Sequence, residues 1–179
     1  MHSLILDNAR RLRDLHDEIH RTVAHRDDSA AACKEWEGAC RRFHEAYDAL
    51  AWPGGLDEGM RLLKAYDPDA VEVAIAFLEV DPLYFRSGYI KVDVVKRLLH
   101  APLTSGQQDR LRRVVLQRAR GPSRREFRAF CRLATALRTP TFESAVEALT
   151  ADSNRTIVRH GSWLMAALRG DDEGGRRAT

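Results

Sequence analysis

The residues of this chain with the plainest chemical capacity are arginines. Arg124, Arg128 and Arg132 recur at i, i+4 and i+8, a spacing that predicts one row on a helix with neighbours about 5–6 Å apart. Arg125 flanks that row. Arg110, Arg113 and Arg120 recur on the preceding segment, on the side opposite Leu111 and Val115, and Arg86, Lys91, Lys96 and Arg97 add charge before them. A guanidinium is planar and permanently charged, and it can hold a carboxylate or a phosphate through two parallel N–H bonds. Rows of guanidiniums predict a surface for an anionic partner, either an acidic protein or a nucleic-acid backbone. The competing expectation is a solvated helix face, partly neutralised by acids elsewhere in the chain.

Two further clusters have chemical potential. Tyr84-Phe85-Arg86-Ser87-Gly88-Tyr89 sets three aromatics and an arginine beside a helix-breaking glycine. Tyr and Arg are enriched at binding hot spots, and Tyr84 or Tyr89 beside a basic stretch could stack on bases. The opposing expectation is that Phe85 and one tyrosine pack into the core at a helix junction. His16 and His20, at i and i+4, could bind a metal from one helix face. The local order His16-Asp17-Glu18-Ile19-His20 is not H-E-x-x-H, because Glu18 stands third. A site would need at least one more ligand, from His44, Glu45 or Asp48. Other signatures are missing. Gly54-Gly55 is not followed by Lys-Ser/Thr, there is no G-x-S-x-G, and Cys131 lies among apolar neighbours, Phe127 and Ala134. The expectation is a non-enzymatic protein without a cofactor, with a metal-dependent helical enzyme at His16 and His20 as the third reading.

Composition bounds the rest. At 179 residues and 20.3 kDa, the chain is one ordinary domain, or one with a small attachment. Its 44% hydrophobic and 31% charged residues describe a folded protein rather than a disordered one. No apolar run approaches the roughly 20 residues of a membrane span, so no membrane association is expected. The N-terminal stretch reaches charges quickly and has no positive leader, which argues against a secretory signal. Cys33, Cys40 and Cys131 form no disulfide framework, which fits a reducing cytoplasm. The net charge of +3 hides a segregation. Residues 1–85 carry 10 basic and 17 acidic side chains, residues 86–138 carry 14 and 3, and residues 139–179 carry 5 and 6. Such a division points to an electrostatic partner or to an internal match between two parts of the fold. The excess of Arg over Lys, 25 to 4, could reflect genomic base composition, but that does not explain the loss of acids from one stretch.

The elements that would carry these residues read as helices. The prolines fall at element boundaries. Asp67-Pro68 and Asp81-Pro82 look like N-caps followed by the first helical position, and Thr104 with Gln107 and Ser123 with Glu126 have capping-box spacing. Helical apolar spacing covers 57–66, 69–80, 105–120, 123–138 and 153–169, the last with Ile157, Val158, Trp163, Leu164 and Leu168. Segment 69–80 is apolar nearly all round, which predicts a central helix. Tyr89 to Val94 alternates like a strand, but it runs into helical spacing and has no second strand to pair with, so a helix is expected. Residues 3–26 and 29–51 predict an antiparallel helical hairpin closed by Arg26-Asp27-Asp28. Trp52-Pro53-Gly54-Gly55 breaks the chain, and the tail from Gly170 is expected to be disordered.

Successive helix pairs of roughly 40 residues across about 56–169 resemble the short α-solenoids of the HEAT or armadillo type. The resemblance rests on helix length, proline placement and pairing, and it implies stacked helix pairs with an extended binding face. The expected organisation is all-α: an acidic hairpin at 1–52 packed on a HEAT-like region at 53–169, with a tail at 170–179. The alternative is a compact multi-helix bundle. The expected function is recognition of an acidic protein through a basic face made of Arg86, Arg110, Arg113, Arg120, Arg124, Arg125, Arg128 and Arg132, with Tyr84, Tyr89 and Lys91. A regulatory, adaptor or bacterial-style toxin-neutralising (immunity-type) role fits that surface, and nucleic-acid backbone binding through the same face is the alternative.

Overall fold

The computed structural model describes residues 1–170 and is all-α. Among the described residues there are nine helices and no strand: α1 His2–Val23, α2 Ala30–Ala51, α3 Leu56–Lys64, α4 Pro68–Val80, α5 Ser87–Leu98, α6 Ser105–Arg120, α7 Phe127–Ala136, α8 Pro140–Leu149 and α9 Arg155–Arg169. The alternating stretch from Tyr89 to Val94 lies inside α5. The tail expected to be disordered falls, past Gly170, outside the described residues. No helix among the described residues is long and apolar enough to cross a membrane. The chain divides into two compact units, with the boundary inside α5 between Ile90 and Lys91.

In the first unit, α1 and α2 form an antiparallel hairpin. Its charged edge is stitched by Arg42 donating to Glu18 at 2.8 Å and by Arg21 against Glu35 at 3.7 Å. Ser29 caps α2 by accepting from the Ala32 N–H at 3.1 Å. The chain then turns through Gly54 and Gly55, at φ 84° and 97°, a region that L side chains rarely enter. Asp67 caps α4 by accepting from the Asp69 and Ala70 N–H groups, and Pro68 supplies the first turn. Seven of its residues are buried, among them Val71, Ile75, Phe77 and Leu78. Helix α4 packs on α1 and α3, and α3 packs on α2, so the four helices close a ring around α4's apolar surface. Burial of this kind stabilises by roughly 25 cal/mol per Å² of apolar surface.

Asp81-Pro82 does not start a helix. Asp81 is the C-cap of α4, in the left-handed region at φ 50°, with its N–H on the Phe77 carbonyl at 3.1 Å. Aspartate tolerates that conformation, and the residue before proline is pushed out of the right-handed helical region, so the pair ends one helix without opening the next.

In the second unit, α6 opens on the capping box of Thr104 and Gln107, with both reciprocal bonds formed. Ser123 and Glu126 do not form the second one. Helix α7 begins only at Phe127, and Glu126 makes no side-chain cap. Starting the helix at Ser123 would set Arg124 and Arg125 in its first turn, against the positive end of the helix dipole. Thr139 and Pro140 open α8, and Asn154 caps α9. The pairs α6·α7 and α8·α9 pack together, and the pairs meet through α6·α8, α7·α9 and α6·α9. Gly161 allows the close approach of α8 and α9, because a Cβ there would lie 2.9 Å from Leu149 Cβ and 3.0 Å from its carbonyl carbon.

Gly59 in α3 faces the Trp52 indole so closely that an added Cβ would overlap the ring. Trp52 is 1% exposed and lies against Phe77, centroids 4.8 Å apart, so it cannot step aside. Gly59→Ala is therefore expected to destabilise by about 1–3 kcal/mol, even though alanine gains about 1 kcal/mol in helix propensity. Urea denaturation measures this, and an unchanged midpoint would contradict the packing.

Candidate functional site

The charge segregation follows the two units. Residues 1–90 carry 11 basic and 17 acidic side chains, whereas residues 91–170 carry 16 and 6. Several first-unit arginines meet local acids: Arg10 on Asp7 at 3.1 Å, Arg42 on Glu18 at 2.8 Å, and Arg61 on both Glu58 oxygens at 2.6 Å. In the second unit two arginines are structural. Arg112 donates to the Leu137 carbonyl at 2.8 Å and to Asp109 at 2.6 Å, and Arg138 donates to the Leu168 carbonyl and to Glu143, both at 3.0 Å. Each thereby holds a helix C-terminus, where cations are favoured.

Others have no such task. Arg113, Arg125, Arg128 and Arg132 are exposed, and none makes a hydrogen bond or ion pair with another described residue. Arg120 is exposed and, among the described residues, donates only to the Leu116 carbonyl one turn back, at 3.5 Å. Arg110 is half-buried. The expected three-step ladder is cut short, because Arg124 precedes the first turn of α7 and only Arg128 and Arg132 share the helix. Arg124 instead lines a recess with Arg118, Gly121, Pro122, Glu126, Phe127 and Phe130. Burial, reinforced by Arg124 and opposed by Glu126, holds the Arg118 guanidinium below the usual arginine range.

Lys91 does not reach the basic surface. It is 1% exposed, because Ile90, Val94, Val95 and Leu98 set the buried stripe of α5 and Lys91 stands four residues before Val95 on that stripe. Burial pushes its ammonium down to about 8, with Glu126 opposing and Arg124 adding to the shift.

The aromatic segment lies in the first unit and forms a pinned loop. Tyr84 donates to the Ala51 carbonyl at 2.6 Å, Tyr47 to the Phe85 carbonyl at 3.1 Å, and Arg13 to the Leu83 carbonyl at 3.1 Å. Arg86 takes φ 65° and lies over the Tyr89 ring at 5.8 Å. Tyr84 is half-buried, with its hydroxyl on the Ala51 carbonyl, and burial raises its phenol far above the usual range. Tyr89 is 66% exposed. Phe85 remains 46% exposed and lies over the His16 ring at 4.9 Å instead of entering the core. His16 and His20 meet edge-on at 4.5 Å. Burial, with help from His20 and against Asp17, lowers the His16 imidazole. No group of three or more His, Cys, Asp or Glu among the described residues is placed to hold a metal ion, so the third ligand sought from His44, Glu45 or Asp48 is not gathered there. Asp48 accepts from the Asp57 N–H at 3.0 Å, at the start of α3.

One pair escaped the reading of the sequence. Trp163, expected on the apolar stripe of α9, is 43% exposed, with the Arg159 guanidinium 5.4 Å above its ring. Phe127 and His160 lie on its inner side at 6.1 and 5.7 Å. The signal was present as Arg155, Arg159 and Trp163 at i, i+4 and i+8. No protein-family model matches the chain, and neither a curated protein nor a solved structure matches it.

The Lys91 shift has a measurable sign. Between pH 8 and 10.5 the unfolded chain keeps a proton that the folded chain has released, so stability rises with pH across that window. The stability of the native protein relative to Lys91→Met should rise from pH 7 to pH 10, by roughly 1–3 kcal/mol after allowance for residual solvation. Paired urea titrations test this, and a difference that does not change with pH would contradict the burial of Lys91.

Proposed function

We propose that this chain is a non-enzymatic helical binding module whose second unit docks an acidic protein. The observation that carries the reading is the set Arg113, Arg125, Arg128 and Arg132, exposed and without hydrogen-bond or ion-pair partners among the described residues. A guanidinium left this way keeps its bidentate geometry for a carboxylate. Mixed signs favour a protein over a polyphosphate, because Arg113 shares its helix with an acid, Asp109, which is exposed and paired with Arg112 at 2.6 Å. The pairing of α6 with α7 and of α8 with α9, with α6 on α8 and α7 on α9, supports a HEAT-like stacking of this unit. A regulatory, adaptor or immunity-type role follows from such a surface by analogy of architecture. Nucleic-acid backbone binding is the second reading, favoured by the same arginines, since they pair with phosphate as readily as with carboxylate.

The test is retention on immobilised polyglutamate. The native protein should bind at about 50 mM salt, and Arg113, Arg128 and Arg132 all→Glu should weaken binding more than roughly tenfold, a loss of hot-spot size, with the helical circular dichroism unchanged. No retention of the native protein would overturn the reading. Tighter retention on DNA, falling steeply as salt rises, would replace it with the second.

A further inference from the structure

The exposed side of α9 differs from those of α6 and α7 in carrying an aromatic ring beside its arginines. Arg155, Arg159 and Trp163 follow one another at i, i+4 and i+8 along the exposed side of that helix. Its buried side is formed by His160, Gly161, Leu164, Met165, Ala167 and Leu168. We propose that Trp163 and Arg159, extended by Arg155, anchor the docking surface, and that they take a partner segment in which a carboxylate stands next to an aromatic or branched apolar side chain. This rests on the acidic-protein reading above and names which acidic segment would be chosen.

The anchor is built in layers. The His160 imidazole is fully buried, and because the Ala119 carbonyl can only accept, His160 donates to it from Nδ1 at 2.9 Å. That bond ties α9 to the end of α6. The imidazole stacks on Phe127 at 4.2 Å and 24°, which ties α9 to the start of α7. Both rings then back the indole of Trp163. A tryptophan fixed from behind has little rotamer freedom to lose on binding, and this lowers the entropic cost of contact.

Arg159 completes the arrangement. Its guanidinium lies over the indole, which holds the planar fork in place while its N–H edges stay available. Arg155 and Arg159 are exposed, and neither is ion-paired with a described residue. A held fork beside an exposed indole edge presents two demands at adjacent points, an anionic oxygen pair and an apolar side chain. Trp and Arg are also the residue types that dominate binding hot spots. Polyglutamate satisfies only the first demand, and the arginines of α6 and α7 also satisfy only that one. Selectivity among acidic segments therefore belongs to α9.

The experiment compares polyglutamate with a random copolymer of glutamate and tyrosine, both against the full chain. The copolymer should bind about tenfold more tightly; Trp163→Ala should remove that preference while leaving polyglutamate binding within roughly twofold, and Arg159→Gln should remove the preference while also weakening polyglutamate, whose carboxylates its fork would hold. Arg159→Gln touches no core contact, so it answers the question even if Trp163→Ala loosens the fold. Equal binding of the two polymers, or an undiminished preference in Arg159→Gln, overturns the inference and leaves the acidic-protein reading standing. Binding of neither polymer removes that reading and the inference with it. Oligothymidylate bound more tightly than either polymer, and weakened by Trp163→Ala, would make the indole a base-stacking platform and also overturn the inference.

Discussion

A guanidinium does not give up its proton at any pH where proteins fold, so each arginine must be solvated, paired or met by a partner. That constraint governs the second unit, where 16 basic side chains stand against 6 acidic ones among the described residues. Acids cannot neutralise them all. Arg112 and Arg138 are placed on helix C-termini, where carbonyl oxygens accept their N–H groups. Arg118 and Arg124 gather around Glu126 in the recess beside Phe127 and Phe130. Arg113, Arg125, Arg128 and Arg132 are left in solvent. Their charge makes the unit receptive to an anion, and the helices below give that charge a fixed layout.

The helices that carry these arginines are tied to one another by buried contacts. Long, flexible side chains lose entropy when they bind, so a basic surface gains from a scaffold that does not move with them. Phe127 and His160 supply one such support, joining α6, α7 and α9 through one hydrogen bond and one ring stack. The first unit handles its charge differently. Its helical hairpin carries local ion pairs, and its strapped loop holds Arg86 over Tyr89 with the backbone in the left-handed region. That conformation costs on the order of 1–3 kcal/mol in a residue other than glycine, and the bonds from Tyr47, Tyr84 and Arg13 hold the adjoining backbone in place.

Much of the fold was legible because local chemistry and periodicity agreed. Thr104 with Gln107 and Asp67 with Pro68 mark helix starts by satisfying N–H groups that have no other partner, and nothing in the tertiary structure competes with them. Asp81-Pro82 was misread because aspartate before proline serves a left-handed C-cap as well as an N-cap, and only the chain beyond it decides between them. Ser123 and Glu126 had the right spacing, but the arginines between them favour a later helix start. The site was harder to read. Lys91 follows the spacing of Val94, Val95 and Leu98, and the spacing outweighs the charge. Helical apolar spacing groups Trp163 with Leu164 and Leu168, although its step from Arg159 puts it on the exposed row. A single sequence gives each helix its faces, but which face its neighbours leave open is a tertiary fact.

The exposure of the arginines can be measured directly by mapping dicarbonyl modification with mass spectrometry over a short time course on the folded protein. Arg113, Arg125, Arg128 and Arg132 should react first, well ahead of Arg112 and Arg138, whose N–H groups are held by carbonyl and carboxylate oxygens. If those four are instead as protected as Arg112 and Arg138, their charge is satisfied within the molecule and no open cationic surface exists.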